Sequence, residues 1–142
     1  MRISVITVCF NAAATLTDAV QSVLSQAPSP EAPFDLEYIV VDGGSTDGTL
    51  DILAPFRDRI ATLISEPDRG LYDAMNKGIR AATGDVVAIL NADDVYASTD
   101  VLDQVARAFT ASGTDAVYGD LNYVAADNLS VSYTHLRAHE TN

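Results

Sequence analysis

Cysteine is nearly missing from this sequence. The single residue, Cys9 in a chain of 142, excludes an intrachain disulfide and any zinc site built from cysteines. Set in an apolar run, it reads as a small buried hydrophobe. Basic residues are scarce as well. Eight Lys and Arg stand against twenty Asp and Glu, a formal net charge of −12. So anionic a chain is a poor partner for DNA or RNA, and nucleic acid is not an expected partner. The same charge disfavours any phosphate ligand unless a divalent cation bridges. No apolar run approaches the ~20 residues that span a bilayer, and no secretory signal is apparent. The expected location is therefore cytoplasmic. There is no Gly-Lys-Ser/Thr and no G-x-G-x-x-G, which removes the P-loop and dinucleotide readings. The two histidines, His135 and His139, both fall in the last eight residues.

What is present is a folded composition, 48% hydrophobic and 20% charged, enough for one domain with a real core. The stretch Val86-Val-Ala-Ile-Leu-Asn-Ala-Asp-Asp-Val95 organises the reading. Five apolar residues run unbroken and stop at Asn91-Ala92-Asp93-Asp94. Such a run suits a central strand buried on both faces of a parallel sheet. Its end would deliver two adjacent carboxylates to the carboxyl edge, where ligands of open α/β sheets sit. Neighbouring negative charges in a cleft are relieved by a hard cation that takes oxygen ligands and keeps positions open for phosphate oxygens. The same pair can instead cap the next helix or solvate a turn.

Along the chain, Ile3–Phe10 reads as the first strand. Thr15 is a candidate N-cap for a helix with Leu16, Ala19, Val20, Val23 and Leu24 on one face. Three prolines make residues 27–35 a loop. Leu36–Val41 is a second strand, ending at Asp42-Gly-Gly-Ser-Thr-Asp-Gly-Thr49 before a short helix with Leu50, Ile52, Leu53 and Phe56. There the glycines allow close backbone approach, Ser45, Thr46 and Asp47 can cap, and Asp42 can accept hydrogen bonds from a ribose or a base or simply end a tight turn. Ala61–Ser65 is a third strand. A helix over Leu71–Ala82 divides into an apolar stripe (Leu71, Ala74, Met75, Gly78, Ile79, Ala82) and a polar one (Asp73, Asn76, Lys77, Arg80), with Gly84 as its stop. After Val86–Leu90 come a helix with Val101, Leu102, Val105, Ala106 and Phe109, and a fifth strand at Ala116–Tyr118, ending at Gly119-Asp120. Strands alternating with helices predict an α/β fold with a parallel sheet, its strand ends on one edge. That edge would gather Asn11, Asp42, Asp68, Asp93 and Asp94 at one crevice.

Four motifs occur in order: Val5-Ile-Thr-Val-Cys-Phe-Asn11, Val40-Val-Asp-Gly-Gly-Ser-Thr-Asp-Gly-Thr49, Glu66-Pro-Asp-Arg-Gly-Leu-Tyr-Asp-Ala-Met-Asn-Lys-Gly78 and Leu90-Asn-Ala-Asp-Asp94. Together they resemble the family 2 glycosyltransferases, in the branch near bacterial polysaccharide-building enzymes of the colanic-acid type. The resemblance implies a GT-A (Rossmann-like), mostly parallel sheet flanked by helices, of which residues 1–128 would be the donor-binding half alone. It implies a nucleotide-diphosphate sugar as donor, a glycan or lipid-linked acceptor, and Mg²⁺ or Mn²⁺ held by Asp93 and Asp94. Thr7, Phe10 and Asn11 would line the nucleotide pocket with Asp42 and Gly44. Asp68, Arg69 and Gly70 would form the loop beside base and phosphates. Asp73, Asn76 and Lys77 would face the donor, and Asn91, Ala92 and Asp93 would lie against the ribose–diphosphate. Gly43 stands where many members carry a second acid, and Asn91 replaces the first acid of the family's Asp-x-Asp pattern.

In inverting members the general base is a carboxylate of the acceptor half, which this sequence would lack. No catalytic residue is therefore assigned; Asp120 is the one late strand-end acid. The resemblance implies an enzyme, a metal-dependent, inverting transfer of sugar from a nucleotide diphosphate to an acceptor hydroxyl in cell-surface polysaccharide synthesis; the alternative is a catalytically incomplete nucleotide- and metal-binding fragment of such an enzyme. A sugar-1-phosphate nucleotidylyltransferase would want a Gly-rich basic loop after the first strand. A phosphoaccepting receiver domain would want its acidic pair there. Phe10-Asn-Ala-Ala-Ala14 is neither. Residues 129–142 break the pattern: Ser132–Thr141 resembles translated adapter sequence joined to gene fragments, so this tail is expected to be non-native. Loss of half a fold would expose apolar surface, making a homodimer an expected partner. Peripheral membrane attachment would belong to the missing region.

Overall fold

The computed structural model describes residues 1–119 and, beyond them, the backbone of strands Asn122–Ala125, Asn128–His135 and His139–Thr141. The chain divides into two units, Met1–Asp103 and Gln104–Asn142.

The first unit is built on β1 (Arg2–Cys9), whose residues from Ile3 to Cys9 are all buried. β1 pairs in parallel with β2 (Asp35–Asp42) on one side and with β4 (Val86–Ile89) on the other, while β3 (Thr62–Ser65) adds to β2. The order is β3-β2-β1-β4. All four strands run the same way, so all four ends lie on one edge, as the alternation of elements predicted.

The helices follow the predicted stripes. α1 (Leu16–Leu24) buries Leu16, Ala19, Val20 and Val23. Thr15 sits at its N-cap position but makes no side-chain cap bond. α2 (Thr49–Leu53) runs directly into a 3₁₀ turn, Ala54–Arg59. α3 (Leu71–Ala81) packs on β1 and β2. Its buried residues are Ala74 and Gly78, and Ala74 joins Ile6, Val8, Ile39 and Val41 in a cluster between helix and sheet. A Cβ on Gly78 would lie 2.5 Å from Ile6 Cγ2, so the missing side chain sets how closely helix and sheet approach. Leu71 and Ile79, at the margins of the stripe, stay 49% and 46% exposed. Gly84 is not the helix stop expected of it. The C-cap is Ala82, and Gly84 instead gives room for Ser4 Oγ, 2.6 Å from where its Cβ would be.

Two expectations fail. The run Val86–Leu90 is not a central strand buried on both faces. Among the described residues β4 pairs with β1 alone and alternates in exposure, with Val87 and Ile89 44% and 42% exposed. The central buried strand is β1. A short apolar run carries no information about what lies beside it. The second failure is β5 (Ala116–Tyr118), which does not extend the parallel sheet. It belongs to the second unit and pairs antiparallel with β8 (His139–Thr141). Three residues are too few to specify direction. In the same unit β6 (Asn122–Ala125) pairs antiparallel with β7 (Asn128–His135), with register shifts at Val124. Asp120 lies outside the described residues, as do the side chains of His135 and His139. No helix among the described residues is long and apolar enough to cross a membrane.

Candidate functional site

The carboxyl edge of the sheet opens into a hollow of about 450 Å³. Val8, Cys9 and Phe10 from the end of β1, Gly43 after β2, and Asp68, Gly70, Leu71 and Ala74 around the start of α3 line it. Phe10 is 61% exposed. A large apolar ring left this open at a cavity mouth is a ready stacking surface.

The walls are fixed by bonds between loops. Asn11, held at φ 48, donates its N–H to Ser45 Oγ and accepts from Thr46 N–H through Oδ1, at 2.8 Å each. Ala12 N–H bonds Thr49 Oγ1 at 3.0 Å and Ala13 N–H bonds Asp47 Oδ2 at 3.1 Å. These four bonds staple the loop after β1 to the loop after β2.

Asp42 is the anchor of that second loop. It is fully buried. Its oxygens accept from Ser45 Oγ, Ser65 Oγ and the amides of Gly44 and Ser45, with the Cys9 thiol at 3.7 Å. Burial pushes the carboxyl pKa up, but the Ser45 and Ser65 hydroxyls and the two amides outweigh it, and the net direction is down. Gly44, at φ +92, turns its amide back to this carboxylate. Asp42 and Gly44 therefore shape the loop, and no carboxylate oxygen of Asp42 points free toward a ribose or a base. Ser65, which no sequence motif marks, reaches Asp42 because the register of β2 and β3 sets the two side by side; only a known strand neighbour reveals that signal. Burial, followed by the Asp42 charge, holds the Cys9 thiol up at about 12, so it stays protonated.

Thr7 departs furthest from expectation. It is fully buried and its hydroxyl accepts from Tyr38 Oη at 2.8 Å. It is not in the lining of the hollow. Adjacent strand residues face opposite sides of a sheet, which separates Thr7 from Val8.

The loop between β3 and α3 carries the acidic wall. Asp68 Oδ1 accepts from Gly70 N–H at 3.0 Å. Asp73 accepts from Arg69 N–H at 3.0 Å, and that bond is the main cause holding its carboxyl below the usual range. Lys77 does not reach toward the hollow. Its Nζ is tied to Glu66 Oε1 at 3.0 Å, to Pro67 O at 3.2 Å and to Asp73 at 3.6 Å, and the Glu66 bond leads the causes that raise its pKa. The side chains of Arg69 and Asn76 stand in solvent.

Asn91, Ala92, Asp93 and Asp94 follow β4 on the same edge, in a turn closed by Asp94 N–H to Asn91 O at 3.0 Å. They are not among the residues that line the hollow: of the strand-end acids predicted to share one crevice, Asp68 lines it, Asp42 is turned inward, and Asp93 and Asp94 follow β4 on the same edge. Ala92 is buried and both aspartates are exposed. Partial burial, and then the Asp93 charge, raise the Asp94 pKa. Asn91 Oδ1 is buried with no hydrogen-bond partner. An unsatisfied oxygen and two carboxylates within one four-residue turn are oxygen ligands of the kind a hard cation takes. Among the described residues no three His, Cys, Asp or Glu side chains cluster as a metal cage, so such a cation would keep positions open for ligand oxygens.

Comparison with known proteins agrees with this architecture. The chain is 39% identical over 123 residues to the PGL/p-HBAD biosynthesis glycosyltransferase of Mycobacterium bovis, covering 83% of this chain and 46% of the relative. It is 34% identical over 134 residues to an uncharacterized glycosyltransferase of Nostoc, covering 92% and 40%. The chain thus spans less than half the length of these curated relatives. Among solved structures, S. aureus TarS in complex with UDP-GlcNAc superposes with a TM-score of 0.70 at 25% identity, over 81% of this chain and 33% of that one. The mannosyltransferase PcManGT from Pyrobaculum calidifontis, in complex with GDP-Man and Mn²⁺, gives 0.69 at 27% identity, over 85% and 35%. The profile of Glycosyl transferase family 2 matches residues 4–140, and the chain, with its parallel GT-A sheet, belongs to that family.

Proposed function

We propose that this chain is the donor-binding part of a glycosyltransferase that moves a sugar from a nucleotide diphosphate to an acceptor hydroxyl, with inversion, in the synthesis of a cell-surface polysaccharide. The acceptor would be a glycan or a lipid-linked saccharide, and the enzyme would work in the cytoplasm, peripheral to the inner face of the membrane. The hollow would take the nucleoside, with Phe10 stacking on the base. Arg69, exposed at the rim, is a natural phosphate partner. Asn91, Asp93 and Asp94 would hold Mg²⁺ or Mn²⁺. When bound, that cation would offset charge developing on the leaving diphosphate. The roles of Asp42, Gly44 and Lys77 in this reading are to hold the loops, and Asn11 joins them through its bonds to Ser45 and Thr46.

The observation that carries the reading is Asn91 Oδ1, buried and without a hydrogen-bond partner among the described residues, two positions before Asp93 on the edge that also bears the hollow. TarS in complex with UDP-GlcNAc and PcManGT in complex with GDP-Man and Mn²⁺ support it. Calorimetry of UDP-GlcNAc and GDP-mannose with and without Mn²⁺ tests it. Wild type should bind one of them in Mn²⁺, and Asp93→Asn with Asp94→Asn should abolish the metal dependence. Metal-independent binding that survives both substitutions overturns the site.

A second reading is a nucleotide- and metal-binding unit without turnover. The chain spans less than half of the relatives' length. A transfer and donor-hydrolysis assay beside the calorimetry separates the two. In both, residues 129–142 stand outside the donor-binding unit, which the source gene read through that junction would test.

A further inference from the structure

The side chains that line the hollow offer an acceptor and few donors. Among the described residues, Asp68 is the charged one. The Cys9 S–H is directed to Asp42 Oδ1, and the other lining side chains are apolar or absent. The amides of Gly43 and Gly70 are already given to Cys9 O at 2.9 Å and to Asp68 Oδ1 at 3.0 Å. Among the described residues, the donor on the Asp68 carboxylate is Gly70 N–H, on Oδ1, and Oδ2 has none. That carboxyl group is also laid across Gly43: a Cβ there would lie 2.5 Å from Asp68 Oδ2, 3.1 Å from Cγ and 3.4 Å from Oδ1. Gly43 does not have a left-handed φ, so its backbone would accept alanine. The atoms that a side chain at 43 would displace are those of the Asp68 carboxyl group.

We propose that Gly43 and Asp68 are a coupled specificity pair: glycine at 43 makes room for the Asp68 carboxylate, whose free Oδ2 must be met by an N–H or O–H donor of the nucleoside. This rests on the nucleotide reading above and deepens it. The donor comes from a ring N–H of the base, as in uracil or guanine, or from a ribose hydroxyl. A base presenting a ring-nitrogen acceptor there would leave two acceptors facing each other in a partly dry site, which is costly. A site built around one hydrogen bond rejects the analogue that lacks it.

The test has two arms, both on the full chain. In calorimetry with Mn²⁺, UDP and GDP are compared with N3-methyl-UDP, N1-methyl-GDP and the 2′-deoxy forms. For wild type, removal of the donor that meets Asp68 should weaken binding at least about tenfold, and in Asp68→Ala that penalty should vanish. A penalty confined to the methylated bases assigns the ring N–H, and one confined to the deoxy forms assigns the ribose. Equal binding of all analogues by wild type, or a penalty unchanged in Asp68→Ala, overturns the pair's selectivity. Binding of neither UDP nor GDP overturns the nucleotide reading itself. In thermal unfolding, Gly43→Ala should lower Tm, and Gly43→Ala with Asp68→Ala should recover it. Additive losses in the double variant, or no loss in Gly43→Ala, overturn the steric coupling whatever the ligand.

Discussion

Asp42 shows how a residue type can be legible while its role is not. An aspartate at a strand end, before two glycines, reads equally as a ligand group or a turn anchor. The fold decides for the anchor by burying it and surrounding it with two hydroxyls and two amides. Those donors hold its folded pKa below the unfolded value of ~3.9. The contribution to stability is therefore complete above the unfolded pKa and lost as pH falls through the folded pKa. Denaturant unfolding of wild type and Asp42→Asn should show the variant less stable by about 1–3 kcal/mol at pH 7. The gap should close as the pH is taken below 4. A gap that stays constant into acid would mean that Asp42 is not charged in the fold. Thr7 carries the same lesson. Its place near the end of β1 was visible, but the face it takes follows from the pleat and from Tyr38.

At the scale of elements, α3 sets one principle against another. Helix propensity alone says that Gly78→Ala should stabilise an interior position by about 1 kcal/mol. Packing says the reverse, because the added methyl meets Ile6 Cγ2 at 2.5 Å. Overpacking of a tight contact costs about 1–3 kcal/mol, so packing should win. Thermal unfolding of Gly78→Ala is expected to give a lower Tm than wild type; a higher one would show that α3 can lift from the sheet freely. β4 makes the opposite case. Its apolar run looks like core, yet Val87 and Ile89 are exposed on a strand with one neighbour among the described residues. Val87→Lys or Ile89→Lys should each cost less than about 1 kcal/mol and should blunt the open edge against self-association. Unfolding titrations and gel filtration at high concentration read both effects, and loss of the fold would restore β4 to the core.

For the whole molecule, charge is the controlling quantity. A chain of formal charge −12 repels a diphosphate unless something positive stands between them. Lys77 is not available for this, since Glu66, Pro67 and Asp73 hold it. Chelation of divalent ions should therefore lower the affinity for UDP or GDP at least about tenfold, and Mg²⁺ or Mn²⁺ should restore it. Equilibrium dialysis with and without EDTA measures this. Affinity indifferent to the chelator would remove the cation from the account.

The order of β- and α-elements as far as Tyr118 was settled by the sequence alone. So was the direction of the first four strands, because helical connections of ordinary length return the chain to start again at the same end. That placed the ends of β1 to β4, and the residues after them, on one edge. Strand neighbours, register and the inward or outward turn of each polar side chain came only with the tertiary structure. Those depend on pairing between residues far apart in the chain, and local periodicity does not encode it. Hence β1 rather than β4 is central, Ser65 meets Asp42, and Asp68 takes the space above Gly43.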